Sequence, residues 1–245
     1  MASPIKQFEI HTIIPIHIGG VDLSYTNSAL WMTISVAVAS VFLAFGAQRR
    51  ALVPGRWQVM TEMAYEFVAN MIRDNVGDAG RRYFPYIFTL FMFVLFGNLL
   101  GLVPGAFTYT SHIIVTLGLA LTVFLAVTVV GIVKHGLHFF SFFVPSGVPA
   151  LMMPLMIPIE VISYLSRPVS LSIRLFANMM AGHTMMKVFA GFVVPLGAAT
   201  FGLGGLAPIA MDVALTGFEL LVAFLQAYVF TVLTCLYLND ALNLH

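Results

Sequence analysis

The residues of this chain that could do chemistry are few, and they sit inside its most apolar stretches. Within "SLSIRLFANMMAGH", residues 170–183, Arg174 stands among Leu171, Ile173, Leu175, Phe176, Met179 and Met180. At 100° per residue on a helix, Glu160, Ser163, Arg167, Ser170 and Asn178 all fall within about 40° of Arg174, which makes one narrow polar face on an otherwise apolar rod. His183 falls about 180° from Arg174 and is expected to face a different neighbour. Downstream, Asp212, Glu219 and Gln226 recur every seventh position, and Tyr237 lies about 20° from Gln226, so two acids and an amide share a second face. A charge near the bilayer centre costs at least about 2.5–3.5 kcal/mol, so several in one chain demand a reason. A carboxylate and an imidazole exchange protons near neutral pH, whereas a guanidinium keeps its charge. The chemistry these types suit is proton transfer at low dielectric, with Arg174 as a fixed charge beside the path.

Each of these residues also admits a structural role. Arg174 paired with Glu160 or Glu219 would simply lock two helices together, or Arg174 would snorkel to an interface. Arg167, next to Pro168, reads as a snorkelling or bracing arginine. Asp212 reads equally as an entrance residue or a solvated carboxylate. Ser163, Ser166 and Ser170 serve as small packing residues, and Asn98 as a helix-to-helix hydrogen bond. His11 and His17, in a polar segment interrupted by Pro and Gly, read as surface histidines. His135 and His138 have no carboxylate or cysteine near them in sequence, and the single cysteine, Cys235, rules out a site built on cysteine pairs and reads as an inert buried thiol. Neither a metal nor a cofactor is expected, since no HExxH, GxSxG or glycine-rich phosphate loop occurs.

The elements that must carry these faces follow from composition. The 245 residues are 60% hydrophobic and 9% charged, against about 25% charged for a soluble domain. The fold expected is an all-α polytopic membrane protein in a single integral membrane domain, 1–245. A net charge of +1 gives no field for nucleic acid. Residues 1–28 lack the features of a cleaved secretory signal and are expected to stay as an external segment. Five membrane-crossing helices are expected, at 29–47, 83–104, 113–133, 151–192 and 207–240, the last two too long for a perpendicular crossing and so strongly tilted or broken. Between the first two, 48–82 carries Arg49, Arg50, Arg56, Arg73, Arg81 and Arg82, which places this connection in the cytoplasm and the N-terminus outside. Trp57, Met60, Met63 or Ala64, Phe67 and Met71 recur there at helical spacing, the pattern of an interfacial amphipathic helix. Residues 137–150 read as an interfacial hairpin, because Pro145, Pro149, Pro154 and Pro158 interrupt the apolar run from 135 to 158.

With those spans, the Glu160 face descends from mid-membrane to the cytoplasmic side, while Asn178, His183, Glu219 and Gln226 occupy the middle and outer half. Neither set crosses alone, which suits two offset half-channels divided by Arg174. "PVSLSIRLFANMMAGH" followed by "FELLVAFLQAYVFTVLTCLYL", with "GNLLGLVPG" and "KHGLHFFSFFVPSGVP" before them, resembles subunit a of the F-type ATP synthase along essentially the whole chain. The resemblance implies that Arg174 is the essential separator facing a carboxylate of the rotating c-ring, and that Asn178, His183, Glu219, Gln226 and Asp212 belong to the outer half-channel. It assigns Glu160, Ser163 and Ser170 to the cytoplasmic one. Many bacterial members exchange the residue types found here at His183 and Glu219, which keeps a carboxylate and an imidazole facing each other. The partners it implies are the c-ring, the peripheral stalk subunit b, the lipid bilayer and protons, in a bacterial inner membrane, with the mitochondrial inner membrane as the alternative. On this reading the chain is not an enzyme by itself. Two other classes compete: a self-contained secondary transporter using the broken segment 137–158 as its substrate site, though no internal repeat supports it, and an intramembrane enzyme using His and carboxylates.

Overall fold

The computed structural model describes residues 8–18, 21–22, 24–48, 55–103, 105–144, 152–200 and 203–243. Helices dominate them: α1 (Asn27–Ala47), α2 (Arg56–Val76), α3 (Phe84–Gly101), α4 (Ile113–His135), α5 (Met153–Ala199) and α6 (Leu206–Leu242). All but α2 are long and apolar enough to cross a membrane, so the described chain is a predominantly α-helical, multi-pass membrane protein. The Arg49–Arg50 pair, residues 145–150 of the expected hairpin and residue 151, the first of the next expected span, lie outside the described residues; before them Gly136–Phe143 forms a 3₁₀ helix.

Local chemistry sets most of the boundaries. The Thr26 side chain accepts from the Ala29 N–H at the start of α1, occupying one of the donors a helix leaves unpaired. Gly77 and Gly136 end α2 and α4 at positive φ, each returning its N–H to the last turn, a conformation that glycine takes without steric cost. Pro154 sits in the first turn of α5, where no N–H is missed. Pro158, Pro168 and Pro195 lie inside α5, the first two within the expected span 151–192. Residues 12–26 add two short ladders, β1 (Thr12–Ile14) with β4 (Tyr25–Thr26) and β2 (His17–Ile18) with β3 (Val21–Asp22), both antiparallel. Strands this short show no alternation for a sequence pattern to reveal.

α3 lies at the centre, with Ile87, Phe91 and Val94 fully enclosed. α5 and α6 run against each other, and α6 presents Ala223 and Ala227 to the bundle with no exposure at all; small residues let membrane helices approach closely. α5 buries Leu171, Leu175 and Met179, a stripe about 60–140° round from Arg174. That leaves the Arg174 face on one flank of the helix and His183 on the other. α5 is 47 residues long, about 70 Å at 1.5 Å per residue, more than twice a hydrocarbon core of about 30 Å.

α2 departs from the expected stripe. Trp57, Met60 and Met63 are exposed, whereas Val68, Met71, Ile72 and Val76 are buried, and the Phe67 ring meets Phe91, Phe224 and Tyr228. The C-terminal half of α2 packs on α3 and α6, turning away from the bundle part of the apolar set that a wheel drawn for one face had grouped together.

Candidate functional site

The site is built along the seam between α5 and α6. His183 and Glu219 face each other across it, with Nε2 and Oε1 3.7 Å apart and both side chains buried. That is ion-pair distance but too long for a hydrogen bond. His183 Nε2 lies 3.0 Å from Thr108 Oγ1, and the Thr108 hydroxyl is 3.1 Å from the Gly101 carbonyl. A hydroxyl has a single hydrogen, so a Thr108 that donates to Gly101 must accept from His183, which assigns the proton of a neutral ring to Nε2. Neither oxygen of Glu219 has a hydrogen-bond partner among the described residues. A buried carboxylate left so is costly as a purely structural group.

The connection between α3 and α4 delivers Thr108. Tyr109 is buried and its hydroxyl donates to the Phe93 carbonyl; burial pushes its phenol up to about 12, so it remains a donor throughout the physiological range. The ring lies where a side chain at position 97 would stand, and only glycine there admits it. Gly182 has the same role beside Glu219: a Cβ at 182 would meet Oε1 at 2.5 Å. Asn98, fully buried, donates to the Ala223 carbonyl at 3.3 Å, tying α3 to α6 one turn beyond Glu219, the inter-helix bond expected of it.

Each member of the His183–Glu219 pair lines a cavity of its own. One, of about 590 Å³, is lined by His183, Lys187, Asp212 and Thr216 together with Glu9, His11 and Asn27 of the N-terminal segment. The other, of about 380 Å³ along the seam, is lined by Asn178, Gly182, Glu219 and Gln226. His183 lines only the first and Glu219 only the second, so a proton passing between them changes compartment. Asp212 lines the first cavity and is half-buried, with Oδ1 enclosed and without a hydrogen-bond partner among the described residues.

The two arginines differ sharply. Arg167 pairs with Asp240 at 3.0 Å, and its guanidinium lies 4.9 Å from the Tyr237 ring centre, 5.3 Å from Tyr164 and 5.6 Å from Phe142. It is a brace, and Tyr237, grouped by the wheel with Gln226, belongs to its cage. Arg174, two turns on, is exposed and makes no hydrogen bond or ion pair with any described residue. The locking role for Arg174 through Glu160 or Glu219 is therefore not realised. Ser163 and Ser170 are exposed on the same flank and Glu160 is half-buried; among the described residues no hydrogen bond or ion pair joins these three to Arg174.

Thr108, Gly182, Lys187, Glu9, His11 and Asn27 were not singled out as site residues by sequence reasoning. The polar, Pro- and Gly-interrupted segment around His11 predicts a surface histidine, and a glycine offers no polar signal; only packing brings these residues to the site.

The family described as ATP synthase A chain is matched over residues 29–239. A protein of Mesorhizobium japonicum named ATP synthase subunit a is 62% identical over 98% of this chain and 96% of its own. Proteins of the same name from Rhodospirillum rubrum, 56% identical over the full length of both, and Pelagibacter ubique, 56% identical over 99% of this chain and 98% of its own, are similar to it as well. A match of this extent, over a chain whose conspicuous unpaired charge is Arg174, shows that the chain belongs to the ATP synthase A chain family.

Proposed function

We propose that this chain is the proton-conducting stator subunit of a bacterial F-type ATP synthase, working beside a rotating c-ring and held by the peripheral stalk subunit b. The observation that carries the reading is the contrast between Arg167, caged and paired, and Arg174, which faces outward with no partner of its own. A permanent charge kept free on an apolar helix needs a counter-charge from outside the chain, and a ring carboxylate supplies one.

The path runs from the cavity at the Asp212 end to His183, across the 3.7 Å gap to Glu219, and along the seam past Gln226 and Asn178 to the ring. The proton neutralises a ring carboxylate, which then leaves the charge of Arg174 and turns into lipid. On the far side the carboxylate meets Arg174 again, whose charge favours its ionised form, and the proton departs towards Ser170, Ser163 and Glu160. Arg174 cannot relay protons, because a guanidinium keeps its charge; it separates the two half-paths. Each charge moved is worth about 2.3 kcal/mol per 100 mV, which the ring converts to torque. ATP chemistry belongs to other subunits.

The test is Arg174→Ala in the assembled complex in inverted vesicles, following ATP-driven acidification and passive proton leak. Pumping should vanish while the complex still assembles, and leak should rise. Near-normal pumping would make Arg174 dispensable and the separator reading untenable.

A further inference from the structure

The larger cavity has a wall that neither polar face accounts for. Glu9, His11 and Asn27 close it opposite His183 and Lys187 of α5 and Asp212 of α6. Asn27, the first residue of α1, ties the backbone of this wall at three points. Its N–H donates to the His11 carbonyl at 3.0 Å, its Nδ2 donates to the Glu9 carbonyl at 3.1 Å, and its Oδ1 accepts from the His11 N–H at 3.2 Å. The same Oδ1 also accepts from the Ser28 N–H at 2.9 Å, which fixes the amide rotamer. The outermost part of the chain is therefore latched to the top of α1 with a carboxylate and an imidazole at the mouth of the cavity.

We propose that Glu9 and His11 are the proton-collecting wall of this entrance and that Asn27 is the positioning residue that holds them over it. This rests on the proton-path reading above. A proton captured by the Glu9 carboxylate or the His11 imidazole passes as a proton to the next acceptor in the cavity, leaving the donor as it began. The cavity is large and polar enough to hold water between its walls. Two carboxylates, Glu9 and Asp212, at one mouth also draw cations towards it, offsetting Lys187, and focusing of this kind raises capture rates by about 10- to 1,000-fold in general. Such collection matters most when protons are scarce outside.

The experiment uses the whole complex in sealed vesicles, with ATP synthesis driven by an imposed potential while the outer pH and buffer concentration are varied. Glu9→Gln combined with His11→Gln keeps the backbone latch and removes the collecting groups; Asn27→Ala removes the two side-chain bonds of the latch, to Glu9 and His11, and leaves only the backbone one. Both should slow synthesis by about three- to tenfold at alkaline outer pH in weak buffer, with the deficit narrowing towards mildly acidic pH and when concentrated imidazole is added outside. A double variant that tracks the wild type at every pH overturns the proposal, as does a deficit insensitive to both pH and buffer, which would be a structural defect. Arg174→Ala runs alongside. If it is inactive while the double variant behaves as wild type, only the collecting wall is wrong; if it is active, the proton-path reading itself falls.

Discussion

A methyl group added at residue 182 would lie 2.5 Å from Glu219 Oε1 and 2.7 Å from its Cδ, so Gly182→Ala must displace the carboxylate from its position opposite His183. Displacing a reacting group by about 1 Å costs on the order of tenfold or more in rate, and passive proton conduction by the complex should fall by about that factor. Combining it with Glu219→Asp, which withdraws the carboxyl by one methylene, should recover part of the loss. If Gly182→Ala conducts normally, the contact does not set the position of the carboxylate. Thr108 is tested on the same scale. Thr108→Val leaves the His183 Nε2 proton without its acceptor, a loss of about 1–3 kcal/mol for a buried donor, while Thr108→Ser keeps the oxygen. The serine variant should therefore conduct like the wild type and the valine variant more slowly, and equal rates for the two would show that His183 is oriented by something else.

At the level of helices, the end of α6 is fastened from two sides. Arg167 of α5 holds Asp240, and Lys134 Nζ and His135 Nε2 of α4 reach the Leu242 carbonyl at 2.7 and 3.2 Å, where positive charge complements a helix C-terminus. Arg167→Ala leaves Asp240 half-buried and empties an aromatic cage, a loss of about 1–3 kcal/mol for a partly exposed pair with its ring contacts. A lower temperature of dissociation for the detergent-solubilised complex would register it. Arg167→Lys should recover little, because an ammonium lacks the planar fork, and an Arg167→Ala complex as stable as the wild type would remove the brace. The existence of these helices, and the polar faces of α5 and α6, were legible because charges are rare and the helical period places them. What was not legible is which helix each face meets. In hydrocarbon, lipid and protein neighbours are equally apolar, so the apolar residues of α1, α3 and α4 do not mark an inner side. Asn98 reached α6 and Thr108 reached α5 through packing that leaves no trace in local sequence. α2 shows the same limit: its apolar residues span more than one face, and packing rather than periodicity chose Val68, Met71, Ile72 and Val76 for burial.

Taken whole, the molecule has two chemically distinct ends. One gathers Glu9, His11, Asn27, the connection after α3, Lys187 and Asp212 around the larger cavity; the other gathers Lys134, His135, Arg167, Asp240 and the end of α6. Alternating crossings by α1, α3, α4, α5 and α6 put the first end outside if the arginine-rich connection after α1 is cytoplasmic, as the positive-inside rule requires. The direction of the whole proton path hangs on that orientation. Cys235 is fully buried, so the unaltered chain should be blind to a membrane-impermeant maleimide and serves as its own background. Leu203, 75% exposed at the turn between α5 and α6, and Asp78, whose side chain is 88% exposed after α2, lie at opposite ends of this scheme. Leu203→Cys should label in intact cells and Asp78→Cys only in inverted vesicles. The reverse pattern would turn the molecule over, make the cavity at Asp212 a cytoplasmic exit, and leave the outer half-path to be sought on the Glu160 flank; labelling of Cys235 in either preparation would mean that the α6 packing described here does not hold in the membrane.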